Sequence, residues 1–455
     1  MPGSLSAEQL SNQHTGFRFG SYGRTQLGFD RDGNAGRNTN VVAHGSRLFE
    51  GSYLELEFSQ PFALEDGFTS DVVITLALFD PLAHYSGVYG GEGWAIRNAY
   101  VESGSFIPAL PDLKVWAGSR MYRGDDIYLL DTWPLDNLNT VGGGLIYEKG
   151  PWDLRVHAGV NRLADEYQFQ TVRVADSIFG SRELVLLDRQ RLIVSGRAGW
   201  KFLNLNEDGL GAKVLFYGEG HRLPAGRRVL PQVHQGGNSR YPLDESMEDI
   251  PADDGYVVGA QVGVFGFGPD SHLNLFARHA EGIAAYGETG VPWGMDALKT
   301  AQGARDILLA ISGNWQNDSM GLLLGGYWRR FNDADREDYD LNDFAEGSLI
   351  ARPILYITDH FHQGFELGYQ AHYPFGLEPD GETHNVGRVW QFSVMEIISL
   401  GKGSYVRPNL RLYYTCSLSN EAARARFADE DRRRPDSIEH FIGLGAEWWF
   451  NSNTY

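Results

Sequence analysis

The stretch 441–450, FIGLGAEWWF, decides how the rest of the chain is read. Taken every second residue, Ile442, Leu444, Ala446, Trp448 and Phe450 form an apolar face. Phe441, Gly443, Gly445, Glu447 and Trp449 form one that is aromatic and acidic. Period-two alternation marks a strand whose two faces meet different environments. An apolar outer face with a polar or aromatic inner one fits a membrane barrel, with lipid outside and a wet lumen inside, and the closing aromatic suits its interfacial girdle.

Other segments repeat the pattern. In 17–29, Phe17, Phe19, Leu27 and Phe29 oppose Arg18, Tyr22, Arg24 and Gln26. In 53–59, Leu54, Leu56 and Phe58 oppose Tyr53, Glu55 and Glu57; in 409–418, Leu410, Leu412, Tyr414, Cys416 and Leu418 oppose Asn409, Arg411, Tyr413 and Thr415. A soluble sandwich also alternates, but its polar face is rarely so rich in Arg and Tyr. The connectors alternate too. Residues 204–209 and 400–403 read as tight turns, 222–255 and 422–437 as long polar loops, and 295–310 as room for a short loop helix. Short turns at one end and long loops at the other are the outer-membrane pattern. The length suits a transmembrane antiparallel β-barrel of 18 strands, with 16 as the alternative. Residues 16–455 are expected to form one barrel domain.

Composition agrees. Gly 56, Tyr 22, Phe 25 and Trp 11 are abundant, Cys 1 and Met 6 scarce, and a mean hydropathy of −0.33 leaves no run long enough for a helical span. Only alternate barrel residues touch lipid, so bulk hydropathy stays low. Cys416 alone supports neither an intrachain disulfide nor a CxxC site, and on an apolar face it reads as a small hydrophobe. A net charge of −20 argues against nucleic acid. The acidic excess reads as solvated loops; the calcium alternative, Asp333–Asp338, lacks the turn Gly of an EF-hand loop. No cofactor is expected. Residues 1–15 are too polar for a signal peptide and read as a disordered leader or expression scar, implying a mature or recombinant form.

The chain resembles the maltoporin-type sugar porins of Gram-negative outer membranes, distantly but nearly end to end. The residues that carry the likeness are 17–29 (FRFGSYGRTQLGF), 115–122 (VWAGSRMY) with 125–131 (DDIYLLD), 97–101, 351–353, 406–408 and the closing Glu447-Trp448-Trp449-Phe450. The resemblance implies a homotrimeric sugar pore with one loop folded into the lumen. Its channel would carry an aromatic lane flanked by a polar track. Apolar pyranose faces slide along aromatic planes while ring-edge hydroxyls need hydrogen-bond partners. By likeness the lane is Tyr22, Tyr53, Trp133 and Trp449. The track is Arg24, Arg47, Glu55, Arg97, Asp126 and Asp131. Alternation independently puts Tyr22 with Arg24, Tyr53 with Glu55, and Glu447 with Trp449 on shared faces.

Departures from the family pattern are specific. Its first-loop disulfide cannot form; Lys213 and Glu346 or Gly347 stand where lane aromatics are expected; a track arginine aligns with Gly124, with Arg123 beside it as the substitute. Trp94 and Tyr85 or Tyr89 are candidates to replace lost aromatic surface. Arg24, Glu55 and Asp131 could equally brace the lumen wall. The expected function is passive sugar diffusion through weak serial sites; the alternative is a general or ion-preferring porin that lost the lane. No G-x-S-x-G, H-E-x-x-H or Walker sequence supports an enzyme. Arg424, Arg426 and Arg432–Arg434 in the last loop balance nearby acids or contact lipopolysaccharide phosphates.

Overall fold

The computed structural model describes residues 16–79, 93–162, 167–177, 180–202, 209–229, 247–288, 290, 292, 295, 298–335, 342–376 and 385–451. The leader 1–15, Tyr85, Tyr89 and 204–208 lie outside them.

Strands follow in chain order: β1 (Arg18–Phe29), β2 (Tyr53–Ala63), β3 (Thr69–Phe79), β4 (Trp94–Gly104), β5 (Leu113–Arg123), β6 (Asn137–Lys149) and β7 (Trp152–Asn161). A loop hairpin, β8 (Phe169–Ser177) and β9 (Gly180–Asp188), precedes β10 (Arg191–Phe202) and β11 (Gly211–Leu223). A second, β12 (Gly226–Val229) and β13 (Met247–Ile250), precedes β14 (Asp253–Phe265) and β15 (His272–Gly282). Then come β16 (Arg305–Gln316), β17 (Met320–Asn332), β18 (Phe344–Tyr356), β19 (Phe361–Pro374), β20 (Gly387–Ser399), β21 (Asn409–Ser419) and β22 (Ile438–Phe450). Leaving out the two loop hairpins, each strand pairs antiparallel with the next in an 18-stranded sheet. Pairing of β1 with β22 closes it, Tyr22 opposite Trp449 and Arg24 opposite Glu447. Closure removes every sheet edge, which a spanning β-structure requires.

The faces are inverted relative to a globule. On β20 the exposed apolar residues are Trp390, Phe392, Val394 and Ile398, while Gln391 and Ser393 are buried inside. On β22, Leu444 and Phe450 face out and Glu447 is buried. No helix among the described residues is long and apolar enough to cross a membrane; the strands cross. Turns such as 64–68, 150–151 and 317–319 close one end, and the long connectors gather at the other.

Two expectations about connectors change. Residues 305–310 belong to β16 rather than to a loop helix; the nearby helical element is the 3-10 turn Ile283–Tyr286. Residues 400–403 are no tight hairpin, because β21 starts only at Asn409, and the intervening segment carries Tyr405 and Arg407 to the inner wall.

Among the described residues at least two loops fold inward, where one is expected. The third loop, 124–136, leaves β5 and reaches β17 across the barrel, where Ile127 and Leu129 pack on Gly325. A Cβ at Gly325 would sit 2.8 Å from Ile127 Cγ2 and 3.1 Å from Leu129 Cβ, so the absent side chain makes room for the loop. The first loop, 30–52, runs over the inner faces of β17–β21: backbone N–H groups of Ala43 and His44 donate to Glu346 (3.2 Å) and Tyr327 Oη (3.2 Å). Leu48, Ile127, Leu129 and Leu130 share a buried cluster with Leu323, Tyr327 and Ile350. The apolar core therefore lies inside the barrel, under the docked loops.

Candidate functional site

A cluster of aromatic and charged side chains sits where β1, β2 and β22 meet the first and third loops. Inward positions on these strands place Tyr22 between Tyr53 and Trp449, with ring centroids 5.9 Å and 6.4 Å away; Tyr22 and Trp449 are stacked at 20°. From the third loop Tyr128 meets Trp449 edge-on at 6.3 Å and Tyr405 at 5.4 Å. Tyr53 and Trp449 are half-buried, but Tyr22 is only 2% exposed.

Guanidinium groups seal Tyr22. Arg24 donates to its hydroxyl at 3.0 Å, and Arg47 donates to it as well. Arg24 also pairs with Glu50 (3.2 Å) and Asp131 (3.3 Å). Arg47 pairs with Glu50 (3.2 Å) and Glu447 (3.3 Å). Arg97 donates to the Tyr53 hydroxyl and pairs with Glu55 at 3.1 Å. Tyr22, Tyr53, Trp449, Arg24, Arg47, Glu55, Arg97 and Asp131 are thus brought together. Burial works against the Asp131 carboxylate, but Arg47 and Arg24 outweigh it and hold its pKa below the usual range. For Glu50 burial wins over the same two arginines, and its pKa is pushed up to about 7. Burial also pushes Asp126 up to about 6, with the Asp131 and Asp125 charges adding to the effect against Arg47.

Arg97 reaches the lumen through an irregularity. Thr75 pairs with Asn98 and Leu76 with Ile96, so Arg97 is the extra residue of a bulge in β4. A bulge re-aims its side chain. The same pairing corrects one expectation. Trp94 lies opposite Leu78 and shares the outward face with Ile96, 58% exposed, so it cannot repair an aromatic lane inside.

Trp133 and Arg123 form a separate pair: the guanidinium carbon stands 3.6 Å above the indole centroid. That stacking covers one face of Trp133. Gly124 cannot carry the expected arginine's Cβ, which would lie 1.7 Å from Asp136 Oδ1. Asp136 is itself held by Arg197 at 2.9 Å.

Lys213 and Glu346, which the resemblance sets at or beside expected lane-aromatic positions, anchor loops. Lys213 binds Asp125 of the third loop at 2.7 Å. Glu346 accepts from Tyr327 Oη at 2.9 Å and from the Ala43 N–H of the first loop. Three further groups join the site. Arg407 and Arg411 both bind Glu447, Arg407 at 2.8 Å, and Tyr128 donates to it at 2.7 Å. The inward alternation of 409–418 marks Arg411; Arg407 lies in an Arg-Pro pair and Tyr128 in the DDIYLLD stretch.

His157 touches Ser195 Oγ at 3.2 Å and Thr140 Oγ1 at 2.7 Å, yet it is fully buried in the wall and reaches no solute. Among the described residues no group of three or more His, Cys, Asp or Glu is arranged to hold a metal; part of Asp333–Asp338 lies outside them.

The model of the LamB porin family matches residues 17–450. The chain belongs to that family. The maltoporin of Vibrio cholerae serotype O1 (strain ATCC 39315 / El Tor Inaba N16961) is 23% identical over 467 residues, spanning 95% of this chain and 94% of the relative. Among solved structures, OccAB1 of Acinetobacter baumannii aligns with a TM-score of 0.45 at 11% identity, covering 96% of each chain. OprD of Pseudomonas aeruginosa aligns at 0.44 and 10%, again over 96% of each. As a LamB-family porin of the Gram-negative outer membrane, the protein is a passive channel for small solutes, not an enzyme.

Proposed function

We propose that this porin facilitates passive diffusion of sugars, maltose- or maltodextrin-like oligosaccharides, along a short aromatic lane. The supporting observation is the row Tyr53–Tyr22–Trp449, flanked by Arg24, Arg47, Arg97, Glu55 and Asp131. Tyr53 and Trp449 offer ring area to a pyranose face, and the flanking groups meet ring-edge hydroxyls. Tyr22, sealed by two guanidiniums, braces the two rings that a sugar would touch. Each contact is weak enough to release its solute, as conduction requires. Concentration-dependent block of single-channel current by maltose-series oligosaccharides tests the reading; current unaffected by any of them overturns it.

A second reading, a general or ion-preferring porin, draws on Lys213 and Glu346 standing as loop anchors in place of lane aromatics. Reversal potentials in a salt gradient, with no sugar block, would favour it. Homotrimeric assembly is proposed from the family resemblance, and a heat-dissociable species of three chains is its test. Lipopolysaccharide contact through the last loop is the weaker proposal. Arg433 and Arg434 are already paired with Asp431 (2.6 Å) and Asp429 (2.9 Å), which favours local charge balance.

A further inference from the structure

We propose that the mouth of the pore carries a docking site for an acidic saccharide, in which Arg426 and Asn40 hold its carboxylate over a cavity of about 460 Å3. The cavity lies away from the constriction, at the loop ends of β18 and β19. The first loop supplies Asn40 and Val42, β18 supplies Phe344 and Glu346, and the last loop supplies Arg426 and Phe427. The site rests on the reading of the channel as a sugar pore and names a class of sugar that pore would take.

The charge state of the lining selects the ligand. Glu346 is already satisfied, accepting from Tyr327 Oη (2.9 Å) and the Ala43 N–H (3.2 Å) and contacting His372 Nδ1 (3.4 Å). Its negative charge is engaged in holding the first loop. The donors are not engaged. Arg433 and Arg434 of the same loop have carboxylate partners at bonding distance, whereas the Arg426 guanidinium makes no salt bridge or hydrogen bond among the described residues and feels only the charge of Glu346 in the same lining. Asn40 accepts the side-chain amides of Gln370 (2.5 Å) and Gln391 (3.1 Å) on Oδ1. Those two bonds orient the amide, and its Nδ2 has no acceptor among the described residues. Two open donors, one of them cationic, face one cavity.

An anion alone would not need the rest of the lining. Val42, Phe344 and Phe427 add apolar surface beside the donors. A pyranose with a carboxylate matches both halves: apolar ring atoms against the walls and a charge-assisted pair with Arg426. A neutral sugar would leave the guanidinium without an anion at bonding distance.

The test measures current block by maltotriose, by trigalacturonate and by sodium acetate, each added to the long-loop side of the wild-type channel and of Arg426→Gln and Asn40→Ala. Loss of one charge-assisted contact should weaken trigalacturonate binding about tenfold in Arg426→Gln. Asn40→Ala should weaken it less, and maltotriose block should not change. Equal trigalacturonate affinity in wild type and Arg426→Gln, with maltotriose block intact, overturns the site and leaves the sugar pore standing. An acetate effect as large as that of trigalacturonate overturns the saccharide assignment. If no sugar blocks the wild type, the sugar-pore reading fails. Calorimetric titration of the detergent-solubilised protein with trigalacturonate then decides the site: binding lost in Arg426→Gln upholds it, and no binding to wild type ends it.

Discussion

Lys213 Nζ lies 2.7 Å from Asp125 Oδ2, joining the inner wall of β11 to the third loop at a position where a lane aromatic is expected. One residue cannot be both a stacking platform and a charged tether. Gln261 adds a second bond to the same carboxylate at 2.6 Å, so the tether is a three-residue contact. Lys213→Ala should loosen one side of the constriction loop and raise open-channel current noise. Asp125→Asn should do the same, and the double variant should add little to either. Additive effects in single-channel recordings would show that the two side chains act separately.

Trp449 and Trp94 make opposite predictions for the same chemistry. Trp449 stands inside, against Tyr22, and Trp94 stands outside, beside Ile96. Losing one stacking partner costs ~0.5–1.5 kcal/mol, so Trp449→Ala should raise the dissociation constant for maltotriose block by roughly two- to tenfold. Trp94→Ala should leave it unchanged. Block constants from titrations of single-channel current decide both.

Glu447 compensates a group of arginines. It is 4% exposed and paired with Arg407, Arg411 and Arg47. Glu447→Gln leaves those guanidiniums short of their shared anion. Removing one partner from a buried ionic cluster costs roughly 3–5 kcal/mol. A lower temperature for heat-induced loss of the folded gel mobility is expected, together with a shift of reversal potential toward anion preference.

Much of this arrangement is legible in sequence, and the illegible part has a physical cause. Alternation reads facing directly along β1, β2, β21 and β22, so Tyr22, Arg24, Tyr53, Glu55 and Trp449 are found inside as expected. It cannot read β4, where a bulge adds one residue and the parity changes partway along, so Arg97 joins the inner wall while Trp94 stands outside. Loop docking is equally hidden. Asp125 and Lys213 lie far apart in the chain, and no local pattern announces that they meet. Glu346 or Gly347 stands at an expected aromatic position in the sequence; in the fold Glu346 is a hydrogen-bond acceptor for the first loop.

Glu50 should make the pore's ion preference respond to pH near neutrality. Burial raises its pKa to about 7 against the opposing arginines, so it is protonated well below that value and charged above it. Asp126 follows at about 6. Acidification from pH 8 to 5 therefore removes negative charge from the constriction, and reversal potentials should move toward anion preference over that window. The sign for loop docking is the same: a folded-state pKa raised above the ordinary 4.5 means the docked loop binds the proton more tightly. Its docking gains as pH falls from 7 toward 4.5 and loses as pH rises through 7. Glu50→Gln should remove the upper part of the response and leave the part belonging to Asp126.

Deleting Arg97 tests the bulge itself. With the residue present, Ile96 faces out, Asn98 faces in, and Arg97 is accommodated between them as the unpaired extra. Without it, Ile96 and Asn98 become neighbours that already obey strict alternation, so both flanks of β4 keep their faces. The deletion should fold into a barrel with wild-type heat-modifiable mobility while losing the Arg97–Glu55 pair. Deleting Ala99 instead removes a residue from a regularly paired stretch and reverses the facing of everything on one side of it. That variant should fail to assemble. If the two deletions behave alike in a refolding assay, Arg97 is an ordinary member of the strand and its path into the lumen has another cause.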